Sequence, residues 1–245
     1  HVFADGGDDV VIGGSESDYI NVSHEDKAPL GEDSGDDVII GDNGRANFEV
    51  LDGQSVVTSI QTGGLTEDGS EDSNSLKVGA ADYIFAGAGK DIVLGGVGSD
   101  EISAGLGAGS LIALGDNGKA QFAAGILRSI QTLDYSVGAG DLIVTSSGNN
   151  VVFGGAGGDD VRTGSGNDVI TASQSTSGDI LKGNDGNDTF KFATANLTLI
   201  DTITGGEGSD VLQMTDDATV VDADFTLATS LETVTSSADI NLNLT

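Results

Sequence analysis

An apolar residue stands two places after an acidic one over and over along this chain. The pairs are Asp9/Val11, Asp18/Ile20, Asp37/Ile39, Asp82/Ile84, Asp91/Val93, Asp100/Ile102 and Asp141/Ile143, then Asn150/Val152, Asp159/Val161, Asp168/Ile170, Asp179/Leu181, Asp188/Phe190, Asp201/Ile203 and Asp210/Leu212. Many neighbours are spaced by nine: 82, 91 and 100; 141, 150, 159 and 168; 179 and 188; 201 and 210. An Asp followed by one residue and then an apolar one reads as a turn feeding a very short strand, with alternation sending the apolar side chain inward. A unit of nine residues holds one turn and one strand, so two units make one coil of a flattened helix whose coils stack at the interstrand spacing of about 4.8 Å. The pattern predicts an all-β solenoid of short stacked strands. No apolar run approaches the length of a membrane span.

The turns carry glycine. Gly7, Gly35, Gly89, Gly98, Gly148, Gly157, Gly166, Gly186 and Gly208 each stand two places before the acidic or amide position, and the clearest copies read GGVGSDEIS (95–103), GGAGGDDVR (154–162), TGSGNDVIT (163–171), GNDGNDTFK (183–191) and GGEGSDVLQ (205–213). Glycine gives a tight turn the backbone angles it needs and lets carbonyls crowd a cation, while Asp supplies the hard anionic oxygen that Ca²⁺ prefers. These copies resemble the hemolysin-type, or RTX, calcium-binding repeat G-G-x-G-x-D-x-U-x. The resemblance implies a right-handed parallel β-roll in which each Ca²⁺ is sandwiched between the Asp of one turn and the carbonyls of a neighbouring turn on the same side. The expected ligands are Asp9, Asp18, Asp37, Asp82, Asp91, Asp100, Asp141, Asp159, Asp168, Asp179, Asp188, Asp201 and Asp210, with carbonyls near Gly87, Gly89, Gly96, Gly98, Gly155, Gly157, Gly164, Gly166, Gly186, Gly206 and Gly208. Degenerate copies, where Glu16, Ala80, Ala139, Ser177 or Leu199 replaces the glycine, fit a turn-capping Asp as well as a metal ligand, and Asn150 is a poorer ligand than a carboxylate.

Composition sharpens this. Forty acidic against nine basic residues give a net charge of −31, which excludes nucleic acid and anionic membranes as partners and favours cations. Thirty-nine glycines, one proline, no tryptophan and no cysteine leave little for a layered core and rule out disulfides and thiolate metal sites. A Cys-free acidic chain fits a secreted protein that gains rigidity from metal, and the resemblance implies type I secretion to the outside of the cell. No signal peptide is visible and the chain begins at His1, so it is expected to be a piece of something larger.

A longer repeat is superimposed. GDNGRANF (41–48) matches GDNGKAQF (115–122); each is followed by SIQT, at 59–62 and 129–132, and residues 78–96 match 137–155 at an offset of 59. The organisation expected is coils with an excursion at 22–34 (1–40), duplicated longer coils with repeats at 78–107 (41–136), the main calcium repeats (137–213) and a strand-rich coil or cap (214–245). The GDNG and SIQT segments should widen the roll or stand beside it as β-arms, and 63–76 should be an exposed acidic loop.

Catalytic machinery is not visible. His1 and His24 lie outside the repeats, no phosphate-binding glycine loop carries Lys, and paired carboxylates such as Asp159/Asp160 point to opposite faces of a strand. The expected function is a non-enzymatic, calcium-folded structural or adhesive module of a secreted or cell-surface protein: an adhesin, S-layer or filament component. Two rivals are the calcium module of a secreted protease, lipase or epimerase whose catalytic domain lies elsewhere, and a glycan-binding surface module. Partners would be calcium ions, neighbouring copies or modules of the same protein, and cell-surface glycans.

Overall fold

A computed structural model describes residues 1–4, 6–31, 33–63, 74–105, 107, 109–134, 136–172, 177–237 and 242–244. Among these there is no α-helix, and none of the described helices is long and apolar enough to cross a membrane. Strands alternate between two sheets as the chain advances, so each coil contributes one strand to each.

The first sheet has nine parallel strands among the described residues: Val10–Ile12, Val38–Ile40, Ile92–Leu94, Ile112–Leu114, Val151–Phe153, Val169–Thr171, Thr189–Phe192, Val211–Met214 and Thr233–Ser236. The second has eight: Tyr19–Ile20, Tyr83–Phe85, Glu101–Ser103, Leu142–Val144, Asp160–Arg162, Ile180–Asp185, Thr202–Glu207 and Ala228–Thr229. Register is held coil to coil, as in Ile143 opposite Val161 and Ile170 opposite Phe190.

Every apolar residue two places after Asp or Asn is buried, from Val11 to Leu212, and together they form one continuous core between the sheets. Three further strands join it without the sequence signal, placing Ala113, Ala228 and Val234 at the equivalent positions. The segment after 214 therefore continues the roll through Ala228–Thr229 and Thr233–Ser236, while Ala218–Val220 pairs with Leu242–Leu244 beside it.

The duplicated segments are β-arms. Gly44–Leu51 and Gln54–Thr62 form one antiparallel hairpin, Gly118–Ala123 and Ile126–Thr132 the other. Both turn on a pair with positive φ, Asp52–Gly53 and Ala124–Gly125, the geometry that matches strand twist in a two-residue hairpin loop. Both carry a bulge at the same place, between Asn47 and Phe48 and between Gln121 and Phe122. The arms join each other, Ser59–Gln61 against Lys119–Gln121, into one four-stranded sheet. That sheet covers the outer face of the first sheet, burying Ile60 and Ala120 against Val38, Ile40, Ile92, Leu94 and Leu114. This second core explains why Val38–Ile40 and Ile92–Leu94 are buried at all three positions: strands covered on both faces read as unbroken apolar runs. The expected excursion after Val22 is a loop pinned by a Val22–Pro29 bridge. The expected acidic loop falls mostly on 64–73, outside the described residues.

Candidate calcium-binding turns

The acidic positions line up along the two edges of the roll. On the edge that feeds the first sheet the order is Asp9, Asp37, Asp91, Leu111, Asn150, Asp168, Asp188, Asp210 and Glu232. On the other edge it is Asp18, Asp82, Asp100, Asp141, Asp159, Asp179 and Asp201. Parallel stacking at one coil per step puts each carboxylate against its counterpart. Oδ1 of each accepts the backbone N–H of the preceding coil's residue at 2.7–3.0 Å, as in Asp82 N–H to Asp100, Asp100 N–H to Asp141 and Asp188 N–H to Asp210. Glu232 closes the first ladder by accepting from Asp210 N–H.

The second oxygen is the informative one. Oδ2 of Asp37, Asp82, Asp100, Asp141, Asp159, Asp168, Asp188 and Asp210 is buried with no hydrogen-bond partner. A buried anionic oxygen left without a donor is costly, and a cation is the natural compensation. Each such oxygen on the second edge faces a glycine five places before it in the repeat or at the equivalent point before an arm. A Cβ at Gly115 would lie 2.0 Å from Asp141 Oδ2 and 2.2 Å from Gly154 O; at Gly95, 2.5 Å from Asp100 Oδ2 and 2.0 Å from Gly115 O; at Gly41, 2.4 Å from Asp82 Oδ2 and 2.5 Å from Gly95 O. Gly13 and Gly154 sit in the same way beside Asp18 and Asp159, and Gly183 and Gly205 repeat the arrangement on the first edge with Asp188 and Asp210. Carboxylate and carbonyl oxygens thus converge on a space that any side chain would fill. Among the described residues no three His, Asp or Glu side chains form a metal cluster, so a cation here must draw on carbonyls as well. Hard oxygens in a mixed carboxylate and carbonyl set suit Ca²⁺, and the residues present fit it.

Burial pushes these carboxyls up. Asp141 rises to about 10, through burial first and then Asp100 and Asp116; Asp82 to about 8 and Asp100 to about 7, through burial and neighbouring carboxylates. Asp37 and Asp179 rise to about 7, and Asp91, Asp159 and Asp188 to about 6, again mainly through burial. A column of anions that resists ionising by itself is a column that a divalent cation stabilises.

The carbonyls that share these spaces with an Asp oxygen belong to the first glycine of the repeat, Gly41, Gly95, Gly115, Gly154 and Gly205, and to Ser230. Of the glycines expected to supply carbonyls, Gly89, Gly166, Gly186 and Gly208 pack on their counterparts in the preceding coil; Gly164 and Gly206 abut Ser146 and Asn184, Gly98 and Gly157 abut Ala80 and Ala139, and Gly87 abuts Asp33. Gly96 and Gly155 face Asp42 and Asp116, the aspartates of the two GDNG motifs. These two are almost wholly buried, and each staples the chain where it re-enters the roll: Asp42 accepts from Ala80 and Val97 N–H, Asp116 from Ala139 and Ala156 N–H. The duplicated GDNG could have flagged them. Asp201, in a degenerate copy, has its second oxygen taken by Thr198 N–H and hydroxyl, as a turn cap would. Ala172 stands where the cradle of Asp179 would need glycine.

No curated protein and no solved structure matches the chain. The family of RTX calcium-binding nonapeptide repeats (4 copies) matches residues 1–21, 78–111, 135–170, 175–191 and 199–213, half of the sequence and most strands of the roll. All the ladder positions except Asp37 and Glu232 fall inside those segments, while the cradle glycines Gly41 and Gly115 lie outside them; the chain belongs to the RTX calcium-binding repeat family, and its roll is a Ca²⁺-binding module.

Proposed function

We propose that this module is a non-catalytic structural element of a secreted or cell-surface protein, which folds and stiffens when it meets extracellular Ca²⁺. RTX repeats are typical of secreted proteins. The observation that carries the reading is the set of eight buried, partnerless Oδ2 atoms in two files along the roll. At a net charge of −31, files of buried carboxylates oppose folding, and cations shared between coils convert that repulsion into coil-to-coil cohesion. Calcium is scarce in the cytosol and abundant outside, so folding follows export. A calcium-rigidified rod suits a spacer or surface layer, the adhesin, S-layer or filament component that the sequence suggests. The arms support a structural role in contact with neighbouring copies or modules of the same protein, since Phe48, Val50, Leu51 and Ile126 stand exposed on them.

The test is small-angle scattering and circular dichroism of the chain in millimolar calcium and in chelator. The expected result is a compact β rod with calcium and an expanded chain of low β content without it. Identical profiles in the two conditions would refute the reading.

A further inference from the structure

Between Asp91 and Asp188 the first edge changes character. Leu111 occupies an Asp position and is buried. In the next coil Asn150 occupies it, and its Nδ2 donates to Gly148 O at 3.0 Å and to Asp168 Oδ1 at 2.9 Å. The glycine of the cradle is replaced by Thr145 and then by Thr163, whose hydroxyl donates to Gly183 O at 2.9 Å. In the same stretch Ser146 donates to Gly105 O at 2.5 Å and Ser147 to Gly107 O at 2.6 Å. Carbonyls that line the turns here are met by neutral side-chain donors carried by the chain itself. Asn150 Nδ2 bridges a turn carbonyl and an Asp oxygen, the two kinds of oxygen that converge in the glycine cradles of the other edge.

We infer that Ser146, Ser147, Asn150 and Thr163 form a built-in replacement for calcium, a polar zipper that holds the middle of the first edge closed without metal. The inference rests on the calcium reading of the other turns and adds a map to it. Sites are continuous along the second edge from Asp18 to Asp159; on the first edge the partnerless oxygens lie at Asp37 before the zipper and at Asp168, Asp188 and Asp210 after Asn150. Mid-roll coils are calcium-bound on one edge only. Their free edge keeps its hydrogen bonds when calcium is withdrawn, so this segment is the last part of the roll to open.

Two variants of the whole chain test this. Thr145→Gly with Asn150→Asp recreates the glycine-to-aspartate spacing of Gly95 and Asp100, and should raise the calcium bound per chain, counted by equilibrium dialysis with metal analysis, by one over the parent. Ser146→Ala with Ser147→Ala should leave the count unchanged, raise the calcium midpoint of folding, and speed amide exchange of 145–150 in low calcium. If the parent binds calcium but the first variant does not gain an ion, or if the serine variant loses one, the inference is overturned and the calcium reading stands. A parent that binds no calcium overturns both.

Discussion

Replacing Asp141 by Asn should stabilise the roll in chelator and destabilise it in calcium. Asp141 is 3 % exposed, and its carboxyl is pushed from 3.8 to about 10 by burial, Asp100 and Asp116. At neutral pH it is ionised in the unfolded chain and must take up a proton to fold without metal. The cost at pH 7, from 1.36 kcal/mol for each pH unit above the ordinary value, is about 4 kcal/mol. Asn carries no such cost and keeps an oxygen to accept Asp100 N–H, the bond that Asp141 accepts at 2.8 Å. Its amide nitrogen would face Gly154 O, as Asn150 Nδ2 meets Gly148 O. In chelator the variant should therefore gain up to about 4 kcal/mol, roughly 10 °C in melting temperature for a chain of this size. In calcium it loses an anionic ligand; a site held at a hundred times its dissociation constant contributes about 3 kcal/mol, and most of that disappears. The assay is thermal melting by far-ultraviolet circular dichroism in both conditions. The opposite signs are the signature. A loss of the same size with and without calcium would mean that Asp141 acts only as a hydrogen-bond cap, and would refute the argument.

Acidity should act in the same direction as that substitution. The folded carboxyls of Asp37, Asp82, Asp100 and Asp141 lie above their unfolded values, so the stability they contribute without metal is fully present below about pH 4 and is lost as pH rises through about 7 to 8 for Asp37, Asp100 and Asp82; a chelated sample titrated upward should lose β signal over that window, and calcium should abolish the loss. Gly186 has φ +134°, and a Cβ there would lie 1.7 Å from Gly166 O, so Gly186→Ala should cost about 3 kcal/mol or more in urea unfolding with calcium present, while Gly31→Ala, with nothing near its Cβ, should stay within about 0.5 kcal/mol. Ile60 is fully buried between arm and roll, so Ile60→Ala should cost about 2–5 kcal/mol and expose the arms to protease before the roll melts.

The roll itself was legible because its signal is local and repeated. Asp at one position, an apolar residue two places on and glycine before it fix a turn, a strand and the facing of one side chain, and stacking does the rest; all fourteen inward positions follow from that rule. The register of the strands whose inward residue is Ala113, Ala228 or Val234 was not legible, because Leu111, Thr226 and Glu232 stand where the rule needs Asp and only neighbouring coils impose it; for 214–245 the sequence left a coil and a cap both open. The aspartate register was readable, and the partner carbonyl of each Asp was not. Which glycine oxygen lies beside an Asp depends on how one coil sits on the next, a relation between residues of adjacent coils, as in Gly154 and Asp141 or Gly41 and Asp18. The arms left two clues: the Asp52–Gly53 pair as a hairpin turn, and the unbroken apolar strands VII (38–40) and IVL (92–94), which announce that something covers the outer face of the first sheet.

Placement of the arms follows from the same interstrand distance that builds the roll. The strands that precede them, Val38–Ile40 and Ile112–Leu114, are two steps apart in the first sheet, with Ile92–Leu94 between. Two coil steps rise about 10 Å, and a hairpin of two strands is about 10 Å wide. The first arm therefore ends where the second begins, and Ser59–Gln61 meets Lys119–Gln121 in hydrogen-bonding register. An arm on every coil would collide with its neighbour, and one on every third coil would leave both inner edges unpaired and prone to pair elsewhere. The duplication of a unit of some sixty residues, four nonapeptide turns plus one arm, is the length at which a roll can carry a second layer that closes on itself, and that geometric match accounts for a long repeat laid over the nine-residue one.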